Sequence, residues 1–230
     1  MSMAKETDPK LLSEQLAYYN ARAREYDETA RPSETADEPG DPAVGGEWQH
    51  LVDVVHAVPH AHKVLELACG TGIWTQELLD VADSIVALDG AHEMLEVNRS
   101  KLGSSKVHYQ QADLFNWKAN ATYDLVFFAF WLSHVPNDLL DGFLTEAARA
   151  VKPGGRLFII DEPAGGKNIS GPAEANAEQT RSLLDGSSFR IVKVYHDVDV
   201  LAQNVRGLGF SELDLWLGDY FFYLNAVRNA

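Results

Sequence analysis

The stretch from Val64 to Ala91, VLELACGTGIWTQELLDVADSIVALDGA, constrains the fold of this chain more than any other. An apolar strand runs into a glycine turn, an amphipathic helix follows, and a second strand ends on an acidic residue, Asp89. Such a strand–turn–helix exposes backbone N–H groups at a helix start, a place suited to negative groups or a closely packed ligand. A dinucleotide fingerprint would read G-x-G-x-x-G; Gly70 and Gly72 supply the first two glycines, and Thr75 stands at the third. The turn alone is a weak signal, and its flanks carry more. Glu66 and Ala68 extend it to E-x-A-x-G-x-G, and Asp89 stands where an acidic residue can accept both hydroxyls of a ribose. Asp113, closing the segment QQAD, falls near where an adenine amine would lie. A third acidic group has no part in holding pyrophosphate; it suits an adenosine that carries an amino-acid tail.

Strand-like and helix-like segments alternate around this unit. KVLELA, SIVALDG, KVHYQQAD, YDLVFFAFWLS and GRLFIIDE read as strands; the helices between them include GIWTQELLDVA, AHEMLEVNRSKLG and PNDLLDGFLTEAARAV. Continuous apolar strands between amphipathic helices predict a parallel sheet covered on both faces. FSELDLWLG and YFFYLNAVR, separated by GD, predict a terminal antiparallel hairpin, and FRIVKVYH a further strand. Between the last sheet strand and FRIVKVYH, residues 163–188 are small and polar, with one helix expected around Glu174 to Leu184. Upstream, residues 8–28 carry Leu11, Leu12, Leu16, Tyr19, Ala23 and Tyr26 at helical spacing. A Pro-, Gly- and acid-rich hinge from Thr29 to Gly46 then leads to a helix in EWQHLVDVVHAV. The expected organisation is an N-terminal helical cap and hinge loop over residues 1–46, followed by a Rossmann-like α/β domain over residues 47–230. Its sheet is seven-stranded and mostly parallel, with an antiparallel C-terminal hairpin.

In these residues the chain resembles the class I S-adenosylmethionine-dependent methyltransferases of the small-molecule type. VLELACGTG matches the family's first motif, VALDGA the second and QQADLF the third; YDLVFFAFWLSHV and AVKPGGRLFIIDE match the strands that follow. The likeness covers about residues 60 to 162 and departs at the first glycine, replaced by Ala68, which narrows the approach to the methionine tail. It implies that Glu66, Ala68, Gly70 and Gly72 line the methionine moiety and that Asp89 binds the ribose. Gly90 and Met94 would pack the adenine, Asp113 and Leu114 would reach its edge, and Phe130 would meet the amino group of the tail. In the first helix Tyr18, Tyr19 and Arg22 are candidates for the cofactor carboxylate, with Tyr26 on the substrate side. Plainer readings stand beside these: Asp113 as a loop cap, Met94 as helix packing, the tyrosines as core, and Cys69 as a small buried residue.

The implied reaction is an in-line displacement at a sulfonium, for which the enzyme supplies alignment and desolvation. A general base is needed only if the acceptor is protonated, and His134 in FWLSHVP is the candidate. Trp131, Phe130 and the loop near Gly165 to Asn168 are expected to wall the acceptor pocket, and flat apolar walls suit a small aromatic or otherwise apolar acceptor. Asp161 and Glu162, ending the fifth strand, are further substrate-side candidates. Neither a divalent cation nor a zinc site is indicated, Cys69 being the single cysteine. A nicotinamide-dependent oxidoreductase and a non-catalytic cofactor-binding module are the competing readings. With 19 Lys+Arg against 34 Asp+Glu and a formal net charge of −15, a nucleic-acid partner would meet a repulsive field. The apolar runs fall short of the roughly 20 residues of a membrane span, so a soluble cytoplasmic protein is expected. The hairpin aromatics could pack on the sheet or on a second subunit of a homodimer, and the sequence leaves that choice open.

Overall fold

A computed structural model describes residues 6–30, 42–167 and 177–230. The chain opens with helices α1 (Pro9–Arg22), α2 (Tyr26–Ala30) and α3 (Pro42–His56). Next come β1 (Ala61–Leu67), α4 (Ile73–Leu78), β2 (Ala82–Asp89), α5 (His92–Leu102), β3 (Val107–Gln111) and β4 (Tyr123–Ala129). A 3-10 turn (Leu132–His134) leads to α6 (Asn137–Ala150), β5 (Val151–Asp161), β6 (Ala177–Ser182) and β7 (Ser188–Lys193). The chain closes with α7 (Val198–Gly207), β8 (Phe210–Leu217) and β9 (Phe222–Arg228).

Seven strands form one sheet in the order β3-β2-β1-β4-β5-β9-β8, with β9 antiparallel to both β5 and β8. The expected Rossmann-like sheet and its terminal hairpin are therefore present. The central strands are buried on both faces, which is why β4 can afford the run Leu125, Val126, Phe127 and Phe128. Two apolar layers flank the sheet. Phe128 and Phe143 meet edge to face on one side, and Phe127 and Phe158 do so on the other. Each buried phenylalanine contributes about 2–3 kcal/mol through the apolar area it removes from water. Strand order reverses between β1 and β4, and a ligand crevice opens at such a switch point, beyond the carboxyl ends of the strands.

Three expectations change. The first helix ends at Arg22 and resumes as α2, because the chain turns at residues 23–25 to bring Asp27 back onto the glycine loop. The third helix begins at Pro42, before the expected boundary at residue 46; proline fits a first helical turn, where its missing N–H costs nothing. The expected helix around Glu174 to Leu184 is, over its described part, the strand β6, paired antiparallel with β7 in a separate two-stranded sheet. No apolar stripe exists in AEQTRS to hold a helix, whereas pairing satisfies its backbone. Residues 174–176 of that expected helix lie outside the described residues. The β6–β7 hairpin packs on α1 through Tyr18, Leu183, Ile191 and Phe189, through Glu14 to Arg190, and through Gln15, which accepts from Val192 N at 2.9 Å.

Candidate active site

The site is built on the end of β1. Glu66 is 2% exposed and accepts from Thr75 Oγ1 at 2.6 Å. Thr75 in turn accepts from Asn98 Nδ2 at 2.9 Å, and Asn98 Oδ1 accepts from Tyr109 O–H at 2.9 Å. This chain of bonds ties β1, α4, α5 and β3 together behind the glycine turn. Burial, with Asp89 nearby, pushes the Glu66 carboxyl up to about 8. The turn then passes through Ala68 (φ 55°), Gly70 (φ 51°) and Gly72 (φ 87°). A Cβ on Gly72 would lie 2.5 Å from Asn98 Oδ1, so glycine is required there for its φ and for space. Gly72 borders none of the cavities described below and acts as support for the loop.

Asp89 ends β2 and holds both sides of the turn, accepting from Gly70 N at 2.9 Å and from Ala91 N at 2.8 Å. Burial raises its pKa while those bonds oppose the rise. A cavity of about 610 Å³ opens beside it, bordered by Asp89, Gly90, Asp113, Leu114 and Trp131 and covered by α1 from Pro9 to Tyr19. Trp131 Nε1 is buried with no hydrogen-bond partner, an orphan donor of the kind a ligand satisfies. Asp113 spends its carboxylate on its own turn, accepting from Phe115 N and from Asn116 Nδ2. Leu114 is buried on the same wall, and Met94 is buried against Ala23 and Ala91.

A second cavity of about 400 Å³ adjoins it. Its walls include Glu66, Ala68, Gly70, Tyr18, Tyr19, Arg22, Tyr26, Phe130 and His134, together with Glu162, Arg181, Lys193 and Tyr195. A small central space bordered by Tyr19, Tyr26, Met94, Phe130, Trp131 and His134 lies between the two. The cleft is thus continuous from Asp113 to Arg181. Phe130 holds a φ of 55° at the end of β4, its N–H donating to Ile160 O at 2.8 Å, and its ring stacks on Trp48. Arg22 lies over the Tyr26 ring, 4.7 Å from its centroid.

His134 is 8% exposed, and burial with Lys193 nearby drives its pKa well below the ordinary histidine value. It bonds Tyr19 O–H at 2.9 Å and the carbonyl of Val192 at 2.8 Å. Lys193, 7% exposed, donates to Ser133 Oγ at 3.0 Å and to Glu162 at 2.5 Å. Asp161 departs from expectation: it is buried, accepts from Ser133 N and Glu162 N, and borders none of the cavities. Glu162 does face the cleft, as expected. Trp131 borders the first cavity and the central space, and not the second cavity. In the loop expected to wall that cavity, Gly165 borders none of these spaces and Asn168 lies outside the described residues. Sequence reasoning missed Arg181, Lys193 and Tyr195, which arrive on and just after the unforeseen hairpin, and also Trp48 and Thr75. For Thr75 a signal was available, since a hydroxyl in the first turn of the helix that follows the strand of Glu66 is suited to bond a buried carboxylate.

A parallel sheet with acidic residues at the ends of adjacent strands, and a cleft spanning its switch point, defines a nucleoside-binding protein of Rossmann-like type. Residues 64–155 match the family model described as a methyltransferase domain. The solved structure of DhpI in complex with S-adenosylhomocysteine shares 34% identity, covers 97% of this chain and 99% of that one, and superposes with a TM-score of 0.80. A DhpI–SAM–HEP complex shares 33% identity over 96% and 99% of the two chains, with a TM-score of 0.79. The demethylmenaquinone methyltransferase of Bacillus licheniformis is 33% identical over 123 residues, half of each chain. The chain spans about half the length of several of the curated relatives it matches. It belongs to the class I S-adenosylmethionine-dependent methyltransferases, and its cofactor is S-adenosylmethionine. The nicotinamide and non-catalytic alternatives fall with that finding.

Proposed function

We propose that this enzyme transfers the methyl group of S-adenosylmethionine to an anionic small molecule seated in the 400 Å³ cavity. The observation that supports it is that Arg181, Lys193 and Tyr195 all line that cavity, in a chain of formal net charge −15. Arg181 makes no ion pair with a carboxylate among the described residues; its guanidinium donates to Gln179. In an acidic chain, the two cations Arg181 and Lys193 at one cleft, the second shared with Glu162, act as a local funnel for an anion.

On this reading Asp89 accepts the ribose hydroxyls, and Gly90, Met94, Asp113, Leu114 and the orphan N–H of Trp131 enclose the adenine. Glu66, Ala68, Gly70, Tyr18 and Phe130 enclose the amino-acid tail, with Gly72 holding the loop and Arg22 on the carboxylate. When bound, the sulfonium supplies the electrophilic methyl group. Arg181 and Lys193 hold the acceptor, with Tyr19, Tyr26 and Glu162 bordering it, and the rings of Trp48 and Phe130 exclude water. An ionised oxygen has no proton to lose. That agrees with His134, whose neutral ring is already bonded at both nitrogens and is poorly suited to act as a base.

A second reading keeps the small aromatic or apolar acceptor, the quinone-like chemistry named for the Bacillus licheniformis relative. The cluster of Trp48, Trp74, Phe130 and Phe221 favours it. Those rings cover one another's faces, however, which leaves the cations as the more specific feature. Transfer of labelled methyl to size-matched acids and neutral aromatics, by wild type and Arg181→Ala, decides between the two. The anionic reading expects activity on acids only, with KM raised about tenfold or more in the variant, the worth of one charge-assisted hydrogen bond. Transfer to neutral rings, unaffected by the substitution, would establish the second.

A further inference from the structure

Among the described residues, Tyr19 is the one side chain that borders all three spaces of the cleft: the adenosine-sized cavity, the central one and the acceptor cavity. In S-adenosylmethionine the sulfur joins the adenosyl group to the amino-acid tail and carries the methyl that leaves toward the acceptor. The sulfur therefore belongs where those three spaces meet, beside Tyr19.

The hydrogen-bond polarity at that point is fixed by the protein. His134 Nδ1 lies 2.8 Å from the carbonyl oxygen of Val192, which can only accept, so Nδ1 carries the ring proton. Burial and the Lys193 ammonium keep the ring neutral. Nε2 is therefore bare and accepts the Tyr19 O–H at 2.9 Å. With its proton committed to His134, the phenol oxygen has only lone pairs to turn toward the cleft.

We propose that Tyr19 reads the charge on the cofactor sulfur: its oxygen, held as an acceptor by the positioning residue His134, favours the cationic sulfonium over the neutral thioether of S-adenosylhomocysteine. The consequence is functional. The arrangement holds the methyl donor and loosens the demethylated product once transfer has removed the charge, which limits product inhibition at a site that encloses both.

The test is calorimetric titration of the full chain with S-adenosylmethionine and with S-adenosylhomocysteine, neither of which requires knowing the acceptor. Tyr19→Phe keeps the ring and its edge contacts with Tyr18 and His134. It is expected to weaken S-adenosylmethionine about tenfold while leaving S-adenosylhomocysteine within about twofold, the cost of one charge-assisted contact. His134→Phe, which frees the Tyr19 proton, should shift the ratio of the two affinities in the same direction, and the double variant should shift it no further than Tyr19→Phe alone. Should His134→Phe fail to fold, the Tyr19→Phe ratio carries the test by itself. Equal weakening of both ligands, or an unchanged ratio, would overturn the proposal. Binding of neither ligand by the wild type would remove the cofactor reading as well, an outcome distinct from those two.

Discussion

Ala68 and Phe130, neither of them glycine, both hold φ at 55°, and both border the small space at the centre of the cleft. A left-handed residue with a Cβ costs about 1–2 kcal/mol, and such strain persists where the surroundings over-determine it. Ala68→Gly should therefore raise the melting temperature by about 2–4 °C, the equivalent of roughly 1 kcal/mol for a chain of this size. Gly72→Ala should act the other way, because its new Cβ must displace Asn98; a loss of about 2–3 kcal/mol is expected, read by thermal unfolding. The buried acid carries a pH signature. Glu66 titrates near 8 in the folded protein and near the ordinary carboxylate value when unfolded. The folded state then binds the extra proton, so the cofactor-free protein loses stability as pH rises from about 4.5 to 8. Glu66→Gln should flatten that fall, melting close to wild type at pH 5 and above it at pH 8. At this scale the sequence was informative where chemistry leaves a motif: Glu66, Asp89, Gly70 and Gly72 all meet at one turn. It misplaced Asp161, expected on the substrate side, because its burial depends on the backbone of Ser133, in the turn after β4, closing over the carboxylate.

Elements are held by side chains that cross between them. Glu47 on α3 accepts from Asp219 N at 2.7 Å, Tyr220 N at 2.9 Å and Phe221 N at 3.1 Å, so one carboxylate satisfies the turn between β8 and β9. Glu47→Ala leaves those amides without their acceptor and should cost about 2–3 kcal/mol in denaturant unfolding. A change below roughly 0.5 kcal/mol would show that water replaces the carboxylate. The terminal hairpin and the parallel strands were legible because their apolar periodicity is strong. The β6–β7 hairpin was not, since AEQTRS offers no periodicity and is a strand only because β7 and α1 give it partners. That single misreading hid three residues that line the second cavity. Arg181 lies on β6, Lys193 on β7, and Tyr195 just beyond. Trp131, expected as a wall of the same pocket, borders the other cavity and the central space.

For the whole molecule, charge is unevenly placed. A net charge of −15 repels polyanions at long range, while Arg22, Arg181 and Lys193 border one cavity together with Glu66 and Glu162. No helix among the described residues is long and apolar enough to cross a membrane. The first helix and the β6–β7 hairpin border the cleft and are bonded to each other, so its two cavities share one cover. Everything in this account rests on the cleft between Glu66 and Asp89 being where the cofactor sits. Calorimetric titration of S-adenosylmethionine into wild type and Asp89→Asn tests that most directly, since asparagine keeps the shape and one acceptor while removing the charge. One-to-one binding to the wild type is expected, weakened at least about tenfold in the variant by loss of the bonds to the ribose hydroxyls. Equal affinity in the two proteins would contradict it.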